Sequence, residues 1–124
     1  MPNILLERVY QKPLSISQNS YLIDRLWPRG IAKAKLADVI WLKEIAPSNE
    51  LRKWYHEHLD QWNSFYQQYQ HELENNQAVA ILSQQLTGNQ VITLLYGSKD
   101  PQHNHAIVLR DFLYNKLKHN NSAS

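Results

Sequence analysis

The segment YLIDRLWPRG, residues 21–30, concentrates side chains that could bind an anion at the point where a predicted strand ends. Asp24, Arg25, Trp27 and Arg29 follow a run of apolar residues. An arginine offers a planar fork that binds carboxylate or phosphate through two hydrogen bonds, and an indole can stack on a flat group. The same residues also suit a structural role, in which Arg25 and Arg29 make ion pairs and Trp27 packs in the core. The segment therefore predicts either one wall of a ligand site or an ion-pair network.

Two later segments supply matching side chains at the ends of two further predicted strands. Lys43 lies near the end of the first of these strands, and Arg52 lies one turn into the helix that follows. Lys99 follows the last strand, with His103 and Asn104 at a predicted helix start. Parallel strands end at one edge of a sheet, where ligands of α/β proteins usually bind, so we expect Arg52, Lys99 and Asn104 to join the first segment in binding a ligand. His103 is the candidate acid or base, and Lys43 is a candidate for stabilising charge.

Other catalytic and metal-binding patterns are incomplete. His103-x-His105 and His56-x-His58 each lack a third ligand at a set spacing, and two residues apart on a helix the side chains lie on different faces. His105 is an alternative to His103 as a general base. No serine stands in a nucleophile elbow, and the three glycines form no phosphate-binding loop. We therefore predict no metal and no cofactor, and the residues leave open whether a reaction follows binding.

The composition is typical of a small globular protein. The chain has 124 residues, enough to bury a core without disulfides, with 43% hydrophobic and 19% charged residues. The absence of cysteine excludes disulfides and thiol catalysis and fits a reducing cytoplasm, where we expect the protein to lie. We expect no signal peptide and no membrane-spanning helix, because Glu7 and Arg8 interrupt the first apolar run. The net charge of +2 is too small to demand a nucleic-acid partner.

Hydrophobic periodicity predicts strands early in the chain, helices in the middle, and a final strand and helix. The run from Val91 to Gly97 is the clearest strand, because it is apolar on both faces. Ser48 or Asn49 is placed to cap a helix, and Gly88 to end one. The predicted strands span residues 3–11, 21–27, 39–46 and 91–97, and the third of these segments could also be a helix. The predicted helical segments span residues 33–38, 77–86 and 103–117, and two further helices are predicted to begin at Ser48 or Asn49 and at Asp60.

This order of elements predicts an α/β fold: a single three-layer domain in which helices cover both faces of a small, mostly parallel sheet. A strand that is apolar on both faces needs cover on both sides. An α+β arrangement with an antiparallel edge is the alternative. No repeat or linker divides the chain, so we predict one domain over residues 3–118 and a disordered C-terminal tail at 119–124.

Several motifs follow one another along the chain: DRLWPRG at 24–30, WLKEIAPS at 41–48, LRKW at 51–54, LLY at 94–96 and HNHAIVL at 103–109. In order and spacing they resemble the bacterial and archaeal Domain of Unknown Function 488 family, in its YeaO-like branch, over about residues 4–117. The resemblance implies a small cytoplasmic protein with a three-layer α/β fold and no established activity. Relatives tend to have a GHD-like turn where this chain reads HEH at 56–58, so the resemblance does not support a functional histidine there.

Three functions are consistent with these residues. The first is binding of a small phosphate- or carboxylate-bearing ligand by the clustered arginines and Asp24. The second is nucleic-acid binding, in which the same arginines with Lys53 and Lys99 contact phosphates while Trp27 stacks on a base. The third is a protein-interaction module that presents exposed tyrosine and tryptophan side chains. The sequence indicates no membrane partner and does not fix the oligomeric state.

Overall fold

The computed structural model describes residues 4–12 and 19–123, with residues 119–123 described by their backbone alone. The described residues form four strands, four α-helices and two short 3-10 helices. The strands are β1 (Ile4–Arg8), β2 (Ser20–Leu22), β3 (Ile40–Trp41) and β4 (Ile92–Tyr96); the α-helices are α1 (Asn49–Glu57), α2 (Trp62–Glu74), α3 (Val79–Thr87) and α4 (His105–Ala123); the 3-10 helices are Lys33–Leu36 and Lys43–Ile45.

The strands form one sheet in the order β1-β4-β2-β3, and every described pairing is parallel. The predicted parallel sheet is therefore confirmed. Tyr21 of β2 sets the register between its neighbours, since it lies opposite Leu94 on one side and Ile40 on the other. Because all four strands run in one direction, the segments that follow them leave the sheet at the same edge.

The two faces of the sheet are covered unequally. In β4 the side chains of Ile92, Leu94 and Tyr96 pack in a core shared by all four described α-helices, whereas Leu95 packs in a smaller core on the opposite face. There the 3-10 helix Lys33–Leu36 contributes Leu36. The α/β class is confirmed: the four described α-helices cover one face of the sheet, and a short 3-10 helix packs on the other.

All four strands are shorter than the sequence indicated, and the first ends at Arg8 and not at Gln11. The second ends at Leu22 and not at Trp27, and the third is confined to Ile40–Trp41 before the 3-10 helix Lys43–Ile45 begins. Beyond the end of β2, side chains form hydrogen bonds with backbone carbonyl groups that do not take part in strand pairing. Arg25 donates to the carbonyl of Pro47, and Trp27 donates to the carbonyl of Ile31. These contacts bend the chain away from the sheet, so the apolar runs did not continue as strands.

The helices that flank the sheet edge are capped by side chains. Ser48 caps α1, as predicted: its Oγ accepts from the Leu51 backbone N–H at 3.1 Å, and the hydroxyl donates to Glu72 at 2.6 Å. Asn104 caps α4, accepting from the Ile107 N–H at 3.2 Å, so α4 starts after His103. The backbone of α4 stays helical through residues 119–123, and the predicted division of the chain at residue 118 stays a prediction. Within the described ranges, no helix is both long enough and apolar enough to span a membrane.

Candidate functional site

A cavity of about 620 Å³ lies where β2 and β4 end and α1 begins. This volume is within the range of small-molecule sites, and its position at the carboxyl edge of a parallel sheet is the usual one for ligands in this fold class. The side chains and backbone that line it come from three separate segments of the chain. They are Asp24, Arg25, Leu26, Ala46, Pro47, Arg52, Tyr55, His56, Leu59, Phe65, Ser98, Lys99, Asp100, His103, Asn104 and His105.

Arg25 lines the cavity while its guanidinium holds the neighbouring segment in place. Its Nε donates to the Pro47 carbonyl at 3.1 Å, and its Nη2 donates to the Ala46 carbonyl at 3.3 Å. No salt bridge joins Asp24 to Arg25 or to Arg29 in the described residues. The ion-pair network that the sequence offered as an alternative is therefore wrong for these residues, and Arg25 instead fixes the shape of one wall.

The two carboxylate oxygens of Asp24 face different groups of this chain. Its Oδ2 accepts from the Gly97 N–H at 2.9 Å, and its Oδ1 lies 3.1 Å from His105 Nε2. That nitrogen is also 3.0 Å from the Ile23 carbonyl oxygen. Because both neighbouring oxygens are acceptors, Nε2 carries a proton; its hydrogen bond goes to the carbonyl, which leaves the buried Oδ1 in electrostatic contact alone. Asp24 and His105 thus form a largely water-excluded pair in the cavity wall.

The close approach of Asp24 to β4 requires glycine at position 97. A Cβ atom on Gly97 would lie 2.7 Å from Asp24 Oδ2, well inside van der Waals contact. The same absence of a side chain lets the Gly97 N–H reach the carboxylate. The sequence did not reveal this contact, because Gly97 is far from Asp24 along the chain and its role depends on the parallel pairing of β2 with β4.

Arg52 is a cation of the cavity wall with a buried nitrogen that lacks an acceptor. It lies on the first turns of α1, its backbone N–H donates to the Ser48 carbonyl, and its guanidinium takes part in none of the salt bridges among the described residues. Its Nε is buried and has no hydrogen-bond acceptor. Buried polar groups in native proteins are nearly always paired, so a charged donor without an acceptor marks a place where negative charge would be stabilised.

The loop after β4 contributes Lys99, Asp100 and His103. Asp100 Oδ1 accepts from the N–H groups of Gln102 and His103 at 2.9 and 3.0 Å. These two hydrogen bonds hold the pKa of Asp100 below its usual value, and a smaller effect comes from His103 nearby. The His103 ring stacks on Trp62, with centroids 4.9 Å apart, while its Nδ1 lies 3.8 Å from Asp100. His103 therefore sits at the cavity rim and not at a helix start.

Asn104 lines the cavity, but both ends of its side-chain amide bond the backbone. Its Nδ2 donates to the Asp100 carbonyl at 2.8 Å, and its Oδ1 accepts from the Ile107 N–H. The residue is 3% exposed. One N–H and one lone pair of the amide oxygen are thus used to hold the loop and cap α4, and the predicted role of Asn104 in ligand binding stays a prediction.

Trp27, Arg29 and Lys43 do not line the cavity, contrary to the expectation from sequence. The Trp27 indole donates to the Ile31 carbonyl at 2.7 Å and packs edge-to-face on Trp41 with ring centroids 5.3 Å apart. Arg29 is exposed, and its carbonyl accepts from the Tyr10 hydroxyl. The Lys43 ammonium lies 5.2 Å from the centre of the Trp41 ring. After β2 the chain bends so that Trp27 packs on Trp41 of β3 and Arg29 lies beside Tyr10, while Lys43 follows β3 itself; proximity in sequence therefore did not bring these three to the cavity.

Sequence reasoning missed the apolar part of the wall. Leu26, Tyr55, Leu59 and Phe65 line the cavity, although none was chosen as a site residue. Burial, followed by the negative charge of Asp100, raises the pKa of Tyr55. No pattern of charges or spacing could have identified these four residues, since apolar side chains are usually assigned to the core.

Metal ligation has no support in the described part of the chain, where no group of three or more His, Asp or Glu side chains converges. Of the His56-x-His58 pair, only His56 lines the cavity; the Nδ1 of His58 lies 2.7 Å from the Trp54 carbonyl oxygen, and its ring stacks on the Trp54 indole.

The chain matches a family model over residues 3–124, and that model is described as the Inactive DUF488-N3 subclade. The chain belongs to the DUF488 family. Uncharacterized protein YeaO of Escherichia coli K12 is 41% identical over 111 residues, which cover 90% of this chain and 96% of the relative. Uncharacterized protein Rv3073c of Mycobacterium tuberculosis H37Rv is 37% identical over 110 residues, covering 89% of this chain and 92% of the relative. No solved structure is significantly similar. The DUF488 membership and the YeaO-like character predicted from the motifs are confirmed.

Proposed function

We propose that the cavity at the carboxyl edge of the sheet binds a small anionic ligand bearing phosphate or carboxylate, without a chemical reaction. The observation that carries the proposal is Arg52, a cavity-lining arginine whose buried Nε has no acceptor. A carboxylate or phosphate beside its guanidinium would supply the missing negative charge.

The balance of charge within the cavity supports an anion. The carboxylates in the wall, Asp24 and Asp100, already interact with donors of this chain, namely backbone N–H groups and the nearby histidine rings. Among the described residues, Arg52 and Lys99 line the same cavity and form no salt bridge with either carboxylate. Arg52 and Lys99 are therefore the groups that an incoming anion would contact, whereas the unbonded Asp24 Oδ1 faces the His105 ring.

Binding without turnover agrees with the description of the matching family model as an inactive subclade. The side chains also favour this view. The His103 ring is stacked on Trp62, and the His105 Nε2 proton is engaged by the Ile23 carbonyl. A general acid or base needs a free path to the reacting atom. The carbonyl contact occupies His105 Nε2, whereas stacking engages only the face of the His103 ring, so the support for binding alone comes from His105.

Inorganic phosphate and citrate are suitable first probes, each measured as a shift of the thermal unfolding midpoint. We expect a dose-dependent rise for the natural chain and its loss in Arg52→Gln, which keeps a polar side chain on the helix but removes the guanidinium and its positive charge.

Lys53→Gln is the matched control, because Lys53 neighbours Arg52 on α1 but is exposed and does not line the cavity. Equal stabilisation of the natural chain and Arg52→Gln, or no stabilisation of either, would contradict the proposal.

Nucleic-acid binding is less well supported than anion binding, because the side chains proposed to contact the nucleic acid do not all lie at the cavity. Trp27 is committed to the Ile31 carbonyl and to Trp41, and Arg29 lies away from the cavity. The protein-interaction alternative stays a prediction.

A further inference from the structure

The cavity wall is divided into a charged part and an apolar part. Arg52 and Lys99 belong to the charged part. The apolar part includes two leucines from different segments: Leu26, which follows β2, and Leu59, which follows α1. Inorganic phosphate would interact with the first part and leave the second in contact with water.

The two leucines are unusually exposed for side chains that line a cavity. Leu26 is 61% exposed and Leu59 is 64% exposed, the highest values among the large hydrophobic residues of the described chain. Single exposed leucines are common on protein surfaces and need no explanation. Two such leucines that face one cavity form a concave apolar surface, and burying that surface would contribute favourably to binding.

The floor beneath the leucines is apolar and held firmly. Phe65 is 3% exposed and stacks on Tyr55, with ring centroids 4.4 Å apart. Pro47 and Ala46 are buried, and Arg25 fixes both of their carbonyl groups. A preformed wall of this kind binds an apolar group without a large cost of ordering.

We infer that the ligand is amphiphilic: a short alkyl or aryl phosphate or carboxylate whose anionic group faces Arg52 and whose apolar part covers Leu26 and Leu59. This inference rests on the proposed function, since it adds an apolar group to the anion proposed above. The cavity volume of about 620 Å³ admits a ligand of this size.

The test is calorimetric titration with a series of free phosphates: inorganic phosphate, ethyl phosphate, butyl phosphate and phenyl phosphate. Each methylene that becomes buried is expected to lower Kd by about fourfold, and phenyl phosphate is expected to bind more tightly than ethyl phosphate. The double variant Leu26→Ser with Leu59→Ser should lose this dependence on the apolar group while it keeps the affinity for inorganic phosphate.

Leu5→Ser is the matched control, because Leu5 is 53% exposed on β1, at the opposite edge of the sheet, and does not line the cavity. It should retain the full dependence on chain length. The double variant and the control variant replace exposed leucines only, so both are expected to fold, and circular dichroism checks this.

Four results have distinct meanings. Equal affinity for all members of the series would overturn the amphiphilic ligand and leave the anion site standing. Binding of none of them, in the natural chain, would overturn the anion site and this inference together. A chain-length dependence that persists in the double leucine variant would place the apolar contact elsewhere and overturn the inference. Binding to vesicles of phosphatidic acid with no binding of free butyl phosphate would also overturn it, in favour of a lipid surface.

Discussion

At the scale of the residue, the motifs located the right neighbourhood but misassigned several roles. Asp24, Arg25 and Arg52 do line one cavity, as the sequence predicted. Trp27 and Arg29 belong to the same motif yet face elsewhere, because the Trp27 indole bonds the Ile31 carbonyl after the chain bends. Residue type and order can be read from the sequence. The direction of each side chain depends on hydrogen bonds to distant carbonyls, and these could not be predicted.

The contact between Gly97 and Asp24 gives a prediction at this scale. In Gly97→Ala the new Cβ would lie 2.7 Å from Asp24 Oδ2, so the carboxylate must move and lose its bond to the backbone N–H. We expect the free energy of unfolding to fall by about 1–3 kcal/mol, measured by urea denaturation.

Gly88→Ala is the control for this change. There the new Cβ would meet only the Gln84 and Gln85 carbonyl oxygens, at 3.6 Å, which is an ordinary contact. Its stability should stay the same or rise by about 0.4–1 kcal/mol, because alanine restricts the unfolded chain. A Gly97→Ala protein as stable as Gly88→Ala would show that the approach of Asp24 to β4 is not required.

At the scale of the element, long periodic segments were predictable and short ones were not. The apolar run at 91–97 became β4, buried on both faces, and Ser48 capped α1 as its position indicated. The run at 39–46 gave a strand only at Ile40–Trp41. β3 lies at the edge of the sheet and pairs with a strand on one side alone. Local turn hydrogen bonds, such as the one from the Ile45 N–H to the Leu42 carbonyl, can therefore replace its strand pairing.

The packing of α2 against α4 predicts a dependence on pH. Tyr66 on α2 donates to Asp111 on α4 at 2.6 Å. Burial, then this hydrogen bond and the carboxylate charge, raises the pKa of Tyr66 to about 12 from its usual value of 10. The folded state therefore favours the neutral phenol. The stability that this bond contributes is present below pH 10 and is lost as the pH rises through 12.

Tyr66→Phe removes that contribution. At pH 8 we expect the variant to be about 1 kcal/mol less stable than the natural chain in urea denaturation, and the difference to shrink when the pH is raised to about 11.5. Tyr114→Phe on α4 is the control, because the Tyr114 hydroxyl makes no hydrogen bond among the described residues. Comparison with this variant separates the effect of the Tyr66 hydrogen bond from the general destabilisation of the protein by alkali. A difference for Tyr66→Phe that does not change with pH would contradict this account of the α2–α4 contact.

At the scale of the whole molecule, the parallel order β1-β4-β2-β3 brings together segments that are distant in the sequence. The sequence predicted this convergence, because parallel strands share a carboxyl edge. It did not predict the apolar half of the wall. Leu26 and Leu59 look like ordinary surface residues until the fold brings them to one cavity. The apolar lining of the cavity therefore became visible only in the fold, because the sequence motifs pointed to charged residues alone.

The central claim is that this one cavity binds an anion, and chemical-shift mapping during a titration with inorganic phosphate tests it most directly. The largest changes in amide ¹⁵N and ¹H shifts are expected at Arg25, Arg52, Ser98, Lys99, Asp100 and His103, which line the cavity. Amides near Arg29 and Lys43, outside the cavity, should change little. Shifts centred on those two residues, or spread thinly over the surface cations, would contradict the claim.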